Sequence, residues 1–324
     1  MKLAGLHHVT AITAKAAQNV EFYTQLLGLR LVKKSVNQDD VSAYHLFYAD
    51  AVGSPGTDIT FFDWEHIPRN QKGTGTISEI ALRVPDKQSL AWWGRHLSDA
   101  GINHTGIIED IGRNLIRFSD FEGQALALVD DRDTPGGGIP WELSPVPVEY
   151  AIRGMNSVTL TVQSIEPTAE VLTEILGFSP VLETTSTNGH TQKQIIFETG
   201  PGGPGAQIHV IAAPHLPPAR QGWGGVHHIA FRTPNDDEQT MWRQRIQQAG
   251  LRVTEVIDRY YFKSIYFREP GGVLYEIATD GPGFTADEHI DHLGERLALP
   301  PFLESKREQI EANLKPIQLT PSID

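Results

Sequence analysis

Two histidine pairs, His7-His8 in GLHHVTAI and His227-His228 in GVHHIAFRT, open two stretches that read alike although 220 residues separate them. Glu276 follows the second pair by 48 residues, in GGVLYEIATD. Two imidazoles and one carboxylate are the ligand set of the facial triad that holds Fe(II) and leaves coordination positions open. Taken singly, each of these residues reads as a satisfied polar group in a strand. Taken together, they have the makings of a metal site, provided the fold brings the two ends of the chain into contact.

The elements that would have to do this repeat four times along the chain. The first unit begins at Leu6–Ile12, continues through an amphipathic stretch from Asn19 to Leu27 that stops at Gly28, and ends in three strand-like runs, the last being Asp58–Phe62. The second starts at Ile77–Val84 with its helix from Ser89 to Ala100, the third at Met155–Val162 with a helix from Glu166 to Leu176, and the fourth at Val226–Arg232 with a helix from Asp236 to Ala249. Each helix is followed by Gly and a hydrophobic residue (GL, GI, GF, GL), the punctuation of a helix C-terminus. In unit four the last two strands are expected over Tyr260–Phe267 and Val273–Ala278. The fold class expected is α+β: four βαβββ modules arranged as two cupped-sheet halves, with a partly helical C-terminal tail. Residues 1–133 form the N-terminal domain of two modules, the Gly/Pro-rich stretch 134–150 a linker, and 151–281 the C-terminal domain. Residues 282–324 are the tail, expected to be a solvated helix over Pro301–Leu314 docked on the surface.

Aligning the units sorts the candidates. The first-strand position of His8 is Glu79 in unit two, Ser157 in unit three and His228 in unit four. Counted from the last turn, the place of Glu276 is taken by Phe61, Ala127 and His209 in units one to three. Side chains alternate between strand faces, so His8 shares a face with Thr10, and Glu276 with Leu274 and Ala278. An ionised glutamate on the partly buried side of a sheet is costly unless a cation or hydrogen bonds compensate it. This register predicts one metal site, built from units one and four, with none in units two and three.

Composition narrows the chemistry. The 324 residues carry a formal charge of -13, which argues against a nucleic-acid or anionic membrane surface. There is no cysteine, so any metal is held by His, Asp and Glu. No apolar run reaches the length of a membrane span, and MKLAGLHHVTAI is too short and polar for a signal peptide; a cytoplasmic protein is expected.

Four such units with a His/His/Glu site resemble the vicinal oxygen chelate superfamily, which includes glyoxalase I, bleomycin-resistance proteins and extradiol dioxygenases. Within it the chain is similar to bacterial hydroquinone-type ring-cleaving dioxygenases, through LHHVT, YHLFYAD followed by GSPGT, VHHIAF, DRYYFKSIYFREPGG and VLYE. The resemblance implies that His8, His228 and Glu276 are iron ligands and that His7 and His227 lie next to them, near the substrate. It also implies that Thr10 is close to the site and that Arg259 and Tyr266 contact or orient a phenolic substrate. His45 lies in a shared motif without an assigned role. The implied cofactor is Fe(II), with Mn(II) able to occupy the same ligands, and the implied partners are a small aromatic substrate, dioxygen and further copies of the chain in a homo-oligomer.

On this reading His7 or His227 moves protons or holds a ligand in place, Arg259 stabilises an anionic oxygen, Tyr266 donates to it, and aromatics such as Trp223 line the pocket. Two alternatives share the fold. A glyoxalase-type lyase or isomerase typically needs a fourth protein ligand, where this register puts Phe61. A metal-free binding or resistance protein has no need of two histidines and a glutamate in register.

Overall fold

The computed structural model describes residues 1–186 and 192–317, and the four repeats appear as four βαβββ modules. Module one comprises β1 (Leu6–Thr13), α1 (Ala16–Glu21), β2 (Arg30–Asn37), β3 (Asp40–Ala49) and β4 (Asp58–Asp63). Module two has β5 (Thr76–Val84), α2 (Lys87–Asp99), β6 (Ile108–Asp110), β7 (Arg113–Ser119) and β8 (Ala125–Asp130). Module three has β9 (Met155–Val162), α3 (Glu166–Glu170), β10 (Ser179–Ser186), β11 (Gln192–Glu198) and β12 (Gln207–Ala212). Module four has β13 (Gly225–Thr233), α4 (Asp236–Gln248), β14 (Ile257–Asp258), β15 (Lys263–Arg268) and β16 (Leu274–Thr279).

Asp86 and Asn235 cap α2 and α4 by accepting the N–H three residues on, and all four helix-stopping glycines hold φ between 70° and 81°, a left-handed turn that L residues resist. Modules one and three depart from the expected continuous helices. Their helices finish in a π turn, Phe22–Leu26 and Val171–Ile175, where Leu27 N donates to Phe22 O and Leu176 N to Val171 O. Modules two and four have 13-residue helices without one, so the second half of the chain repeats the first in this detail too.

Two eight-stranded sheets result, in the orders β14-β15-β16-β13-β1-β4-β3-β2 and β10-β11-β12-β9-β5-β8-β7-β6. Each sheet therefore takes one module from either half of the sequence: four with one, and three with two. Inside every module the first and last strands pair in parallel, and the modules meet through antiparallel pairs, β1 with β13 and β5 with β9. The largest apolar cluster takes in strand residues of both sheets, such as Val9, Phe61, Val158 and Ile229, together with helix residues such as Leu90, Trp93 and Trp242. Smaller clusters are built on the opposite strand faces. Val32, Phe47, Ala230, Tyr261 and Phe262 belong to one in the first sheet, and Ala81, Leu115, Ala127 and Val129 form another in the second.

Three expectations need correction. The strand expected from Tyr260 begins only at Lys263, because Arg259–Phe262 form a turn in which Tyr260 has φ 73°. The tail helix is two short helices, α5 (Pro301–Glu304) and α6 (Arg307–Asn313), interrupted at Ser305-Lys306. The tail is also more than a solvated helix, since Leu299, Leu303, Ile310 and Leu314 join the main core and Ala298 N donates to Lys34 O on β2. Among the described residues no helix is long and apolar enough to cross a membrane.

Candidate metal centre

Three neighbouring strands bring the predicted trio together. His8 lies on β1, His228 on β13 opposite Thr10, and Glu276 on β16 opposite Ala230. All three are buried, with Glu276 fully so. His8 Nε2 and His228 Nε2 are 3.3 Å apart, and Glu276 Oε2 sits 3.3 Å from the first and 2.8 Å from the second. One ligand atom from each residue falls within 4.8 Å of the others, and no other such group occurs among the described residues.

The surroundings fit a cation. Glu276 Oε1 accepts a 2.5 Å hydrogen bond from Ser264, whereas Oε2 has no hydrogen bond of acceptable geometry although it is wholly buried. A buried carboxylate oxygen without a well-formed hydrogen bond, facing two imidazole nitrogens, is an acceptor set that a metal ion would satisfy. Burial by itself would raise the Glu276 carboxyl, but His8 and His228 beside it hold it well below the usual carboxylate range, which keeps it anionic.

The paired histidines owe their places to β-bulges. In the β1–β13 ladder Leu6 opposes Phe231 but His8 opposes Ala230, which leaves His7 as the extra residue. Symmetrically, Thr10 opposes His228 and Ala11 opposes Val226, which leaves His227 extra on β13. A bulge re-aims the side chain it frees, and each freed ring meets its neighbour: Nδ1 to Nδ1 is 2.9 Å for His7-His8 and 2.7 Å for His227-His228. His7 Nε2 donates to Thr279 O at 3.1 Å. Burial, and then His8, lower the His7 pKa to about 3, so the ring is neutral and its Nδ1 accepts from His8 Nδ1–H. With Nδ1–H engaged in this way, Nε2 is the His8 nitrogen left to face Glu276 and to offer its lone pair to a metal ion. Metal binding by His228 Nε2 requires the same arrangement there, with His228 Nδ1–H donating to His227. The other sheet carries the same bulges at Ser78 and Asn156, so this geometry belongs to the fold and not to the histidines.

A small cavity of about 40 Å³ opens beside the trio, with Thr10, His45, Phe47, Phe62, Phe262, Arg259 and Tyr266 among its walls. Tyr266 pairs across from Glu276 and sets its ring edge-on to His228, at 5.7 Å. Burial, then Glu276, push its phenol up, so it stays protonated. Arg259 lies over the Tyr266 ring, 5.5 Å from its centroid, and its guanidinium forms a two-pronged ion pair with Asp39 at 2.8 and 3.2 Å. Thr10 and His45 both hydrogen-bond the Thr60 hydroxyl. Burial, then His8, keep His45 far below the ordinary imidazole range and hence neutral.

Thr60 also corrects the sequence register. In module four Glu276 opposes Ala230, two residues past His228; in module one the residue opposite Thr10, two past His8, is Thr60. Phe61 points to the other face, into the core, because a slip of one residue reverses a strand's faces. Ala127 and His209 fall where the register put them, opposite Ala81 and Thr159. Trp223 lies away from the cavity, against Arg69. Ser264, Asp39 and Gln38 escaped the sequence reading. Ser264 was within reach of it, two residues before Tyr266 on the face of Glu276. The other two lie at a hairpin tip whose contact with Arg259 spans 220 residues, and nothing local signals it.

A family model described as Glyoxalase/Bleomycin resistance protein/Dioxygenase superfamily matches residues 5–139 and 154–277. The chain is 47% identical, over 98% of its length and 100% of the relative, to MhqA of Bacillus subtilis (strain 168), provisionally named as a ring-cleaving dioxygenase. It is 31% identical, over 95% of either chain, to the chlorohydroquinone/hydroquinone 1,2-dioxygenase of Sphingobium indicum. A crystal structure from Bacillus subtilis, provisionally described as a dioxygenase, superposes with TM-score 0.91 at 37% identity and covers 98% of this chain and 99% of that one. Glyoxalase I from Zea mays superposes with TM-score 0.63 at 12% identity, covering 85% of this chain and 92% of that one, a likeness of fold alone.

Proposed function

The chain belongs to the glyoxalase/bleomycin resistance protein/dioxygenase superfamily and to the ring-cleaving dioxygenase class within it, and on that premise we propose an Fe(II)-dependent, extradiol-type enzyme that opens a hydroquinone or related dihydroxylated ring. His8, His228 and Glu276 would hold the metal, and Mn(II) suits the same donors. The observation that carries the proposal is the buried Glu276 Oε2, without a well-formed hydrogen bond, facing His8 and His228, the two imidazoles that line an aromatic-walled cavity.

When bound, Fe(II) supplies a Lewis-acidic centre with open positions at which a phenolic oxygen and dioxygen come together. The chain supplies the rest. Phe47, Phe62 and Phe262 exclude water and offer ring faces to an aromatic substrate. Tyr266, kept protonated, donates a hydrogen bond to an oxygen bearing negative charge, and Arg259 adds positive charge beside it. His7 and His227 hold the tautomers of the ligand rings, and His227, only half-buried, is the one placed to exchange a proton with solvent. Neutral His45 and the hydroxyls of Thr10 and Thr60 form a chain that accepts or returns a proton at the cavity wall.

The two alternatives fare worse. A glyoxalase-type reaction wants a carboxylate or comparable fourth ligand where Thr60 stands, its hydroxyl already engaged by Thr10 and His45. A metal-free binding protein would leave Glu276 Oε2 without compensation. The proposal also takes 1–133 and 151–281 as the domains, each lending one module to either sheet, and extends to a homo-oligomer and to the cytoplasm, a reducing compartment that suits a sequence without cysteine.

Anaerobic reconstitution with Fe(II) is expected to give oxygen uptake with hydroquinones, and His228→Ala to abolish both metal retention and uptake. Stoichiometric iron without oxygen uptake across a panel of hydroquinones and catechols would overturn the dioxygenase assignment.

A further inference from the structure

The second sheet forms a cup related to the first by the module repeat, and it is roomier: about 200 Å³ against about 40 Å³. A guest the size of benzene occupies an apolar cavity of about 150 Å³, so this cup has room for a ring as it stands. Its apolar lining includes Ala81, Leu115, Ala127, Val129 and Ile196. It is not a second metal centre. Glu79, which stands where His8 does, is spent in a 2.8 Å ion pair with Arg117, and Ser157, in the place of His228, offers only a hydroxyl.

What the cup does hold is donors without acceptors. Asn156, the bulge residue equivalent to His227, is buried, and its Nδ2 has no partner. His209, in the place of Glu276, accepts from Gln194 at Nδ1, so its Nε2 carries the hydrogen, and that atom too is buried without a partner. Arg113 makes no ion pair among the described residues. Glu198, Asp131 and Asp130 act on it from further off and are already bonded elsewhere, to Gln207, Arg83 and Asn114 respectively. Arg117 in turn is neutralised by Glu79 and Asp110, which leaves Arg113 as the guanidinium of the lining without a contact ion pair among the described residues. Unpaired donors in a buried site are destabilising until an acceptor arrives, and a guanidinium with two further N–H groups matches a carboxylate.

We propose that this cup is a second small-molecule site, separate from the metal centre, that binds a ring-sized apolar carboxylate. The carboxylate accepts from Arg113, Asn156 and His209, and the hydrocarbon body lies against Leu115, Ala127 and Val129. The proposal does not rest on the reaction assigned to the first sheet, because binding is expected without metal or dioxygen.

Calorimetric titration of the full chain with benzoate tests it. One equivalent should bind saturably, benzyl alcohol should bind at least tenfold more weakly, and Arg113→Met should weaken benzoate at least tenfold. His8→Ala, which damages the other site, should leave benzoate affinity unchanged. Ala127→Leu, which fills the cup with hydrocarbon, should abolish binding and serves if Arg113→Met does not fold. Absence of saturable binding, equal affinity for benzyl alcohol, an unaffected Arg113→Met or Ala127→Leu protein, or loss of binding in His8→Ala would each overturn the proposal.

Discussion

Replacing Lys33 by Met should cost about 3 kcal/mol of stability and loosen the tail from the sheet that carries His8, His228 and Glu276. Lys33 is fully buried on β2, its ammonium 2.7 Å from Asp287, in contact with Glu288 and 4.8 Å from the centre of the Tyr261 ring. Removing one partner of a buried ion pair costs about 3–5 kcal/mol, because the other charge is stranded. Here the lower end applies. Asp287 retains the Tyr261 hydroxyl at 2.9 Å and is partly in water, so the stranded charge is chiefly Glu288, its side chain 2% exposed, which among the described residues keeps Arg296 alone, at 3.5 Å. Urea unfolding of the purified protein measures the loss, and limited proteolysis reports whether 284–299 comes free. Lys33→Met combined with Glu288→Met removes both charges and should recover most of the stability, since an apolar pair of similar volume often does as well as a buried ion pair. A single variant that loses less than about 1 kcal/mol, or a double variant no better than the single, would refute the reasoning.

The hairpin tip at the cavity beside His8 and His228 gives a kinetic prediction that rests on the dioxygenase reading. A cavity of about 40 Å³ is too small for a ring, so the Asp39–Arg259 contact must part on substrate entry. Because Asp39 is largely exposed, that contact is worth at most about 1 kcal/mol, and Asp39→Ala should lower KM for hydroquinone by up to about fivefold; an unchanged or raised KM would count against this gate. A separate prediction concerns pH. Burial raises Asp120 to about 6 although the N–H groups of Glu122 and Gln124 and the Tyr23 hydroxyl donate to it. The folded protein thus binds this proton more tightly than the unfolded chain, so the associated stability is complete below about pH 4 and is lost as pH rises through about 6. Unfolding free energies of native protein and Asp120→Asn should converge at high pH in shape and differ by a slope amounting to about 3 kcal/mol between those limits; parallel profiles would exclude Asp120 as the source.

How much of this was legible beforehand depends on how local the cause is. The four modules were readable because each helix stop, strand alternation and Gly-rich turn is written within a few residues, and His8, His228 and Glu276 stand at equivalent places in that local grammar. The slip from Thr60 to Phe61 shows the limit: turn lengths differ between modules, and one miscounted residue reverses a strand face. Local sequence does not encode the β1–β13 ladder, whose paired bulges turn His7 and His227 towards their neighbours, nor the pairing of modules one and four that converts distant histidines into one cluster. The contact of Asp39 with Arg259 and the burial of Lys33 under the tail likewise arise only where segments more than 200 residues apart meet. The sequence by itself determined the repeat and the residue types able to hold a metal. Tertiary structure alone decided which atoms converge, which ring nitrogens face one another and which carboxylate oxygen is left without a well-formed hydrogen bond, because these depend on packing between strands that the chain order keeps apart.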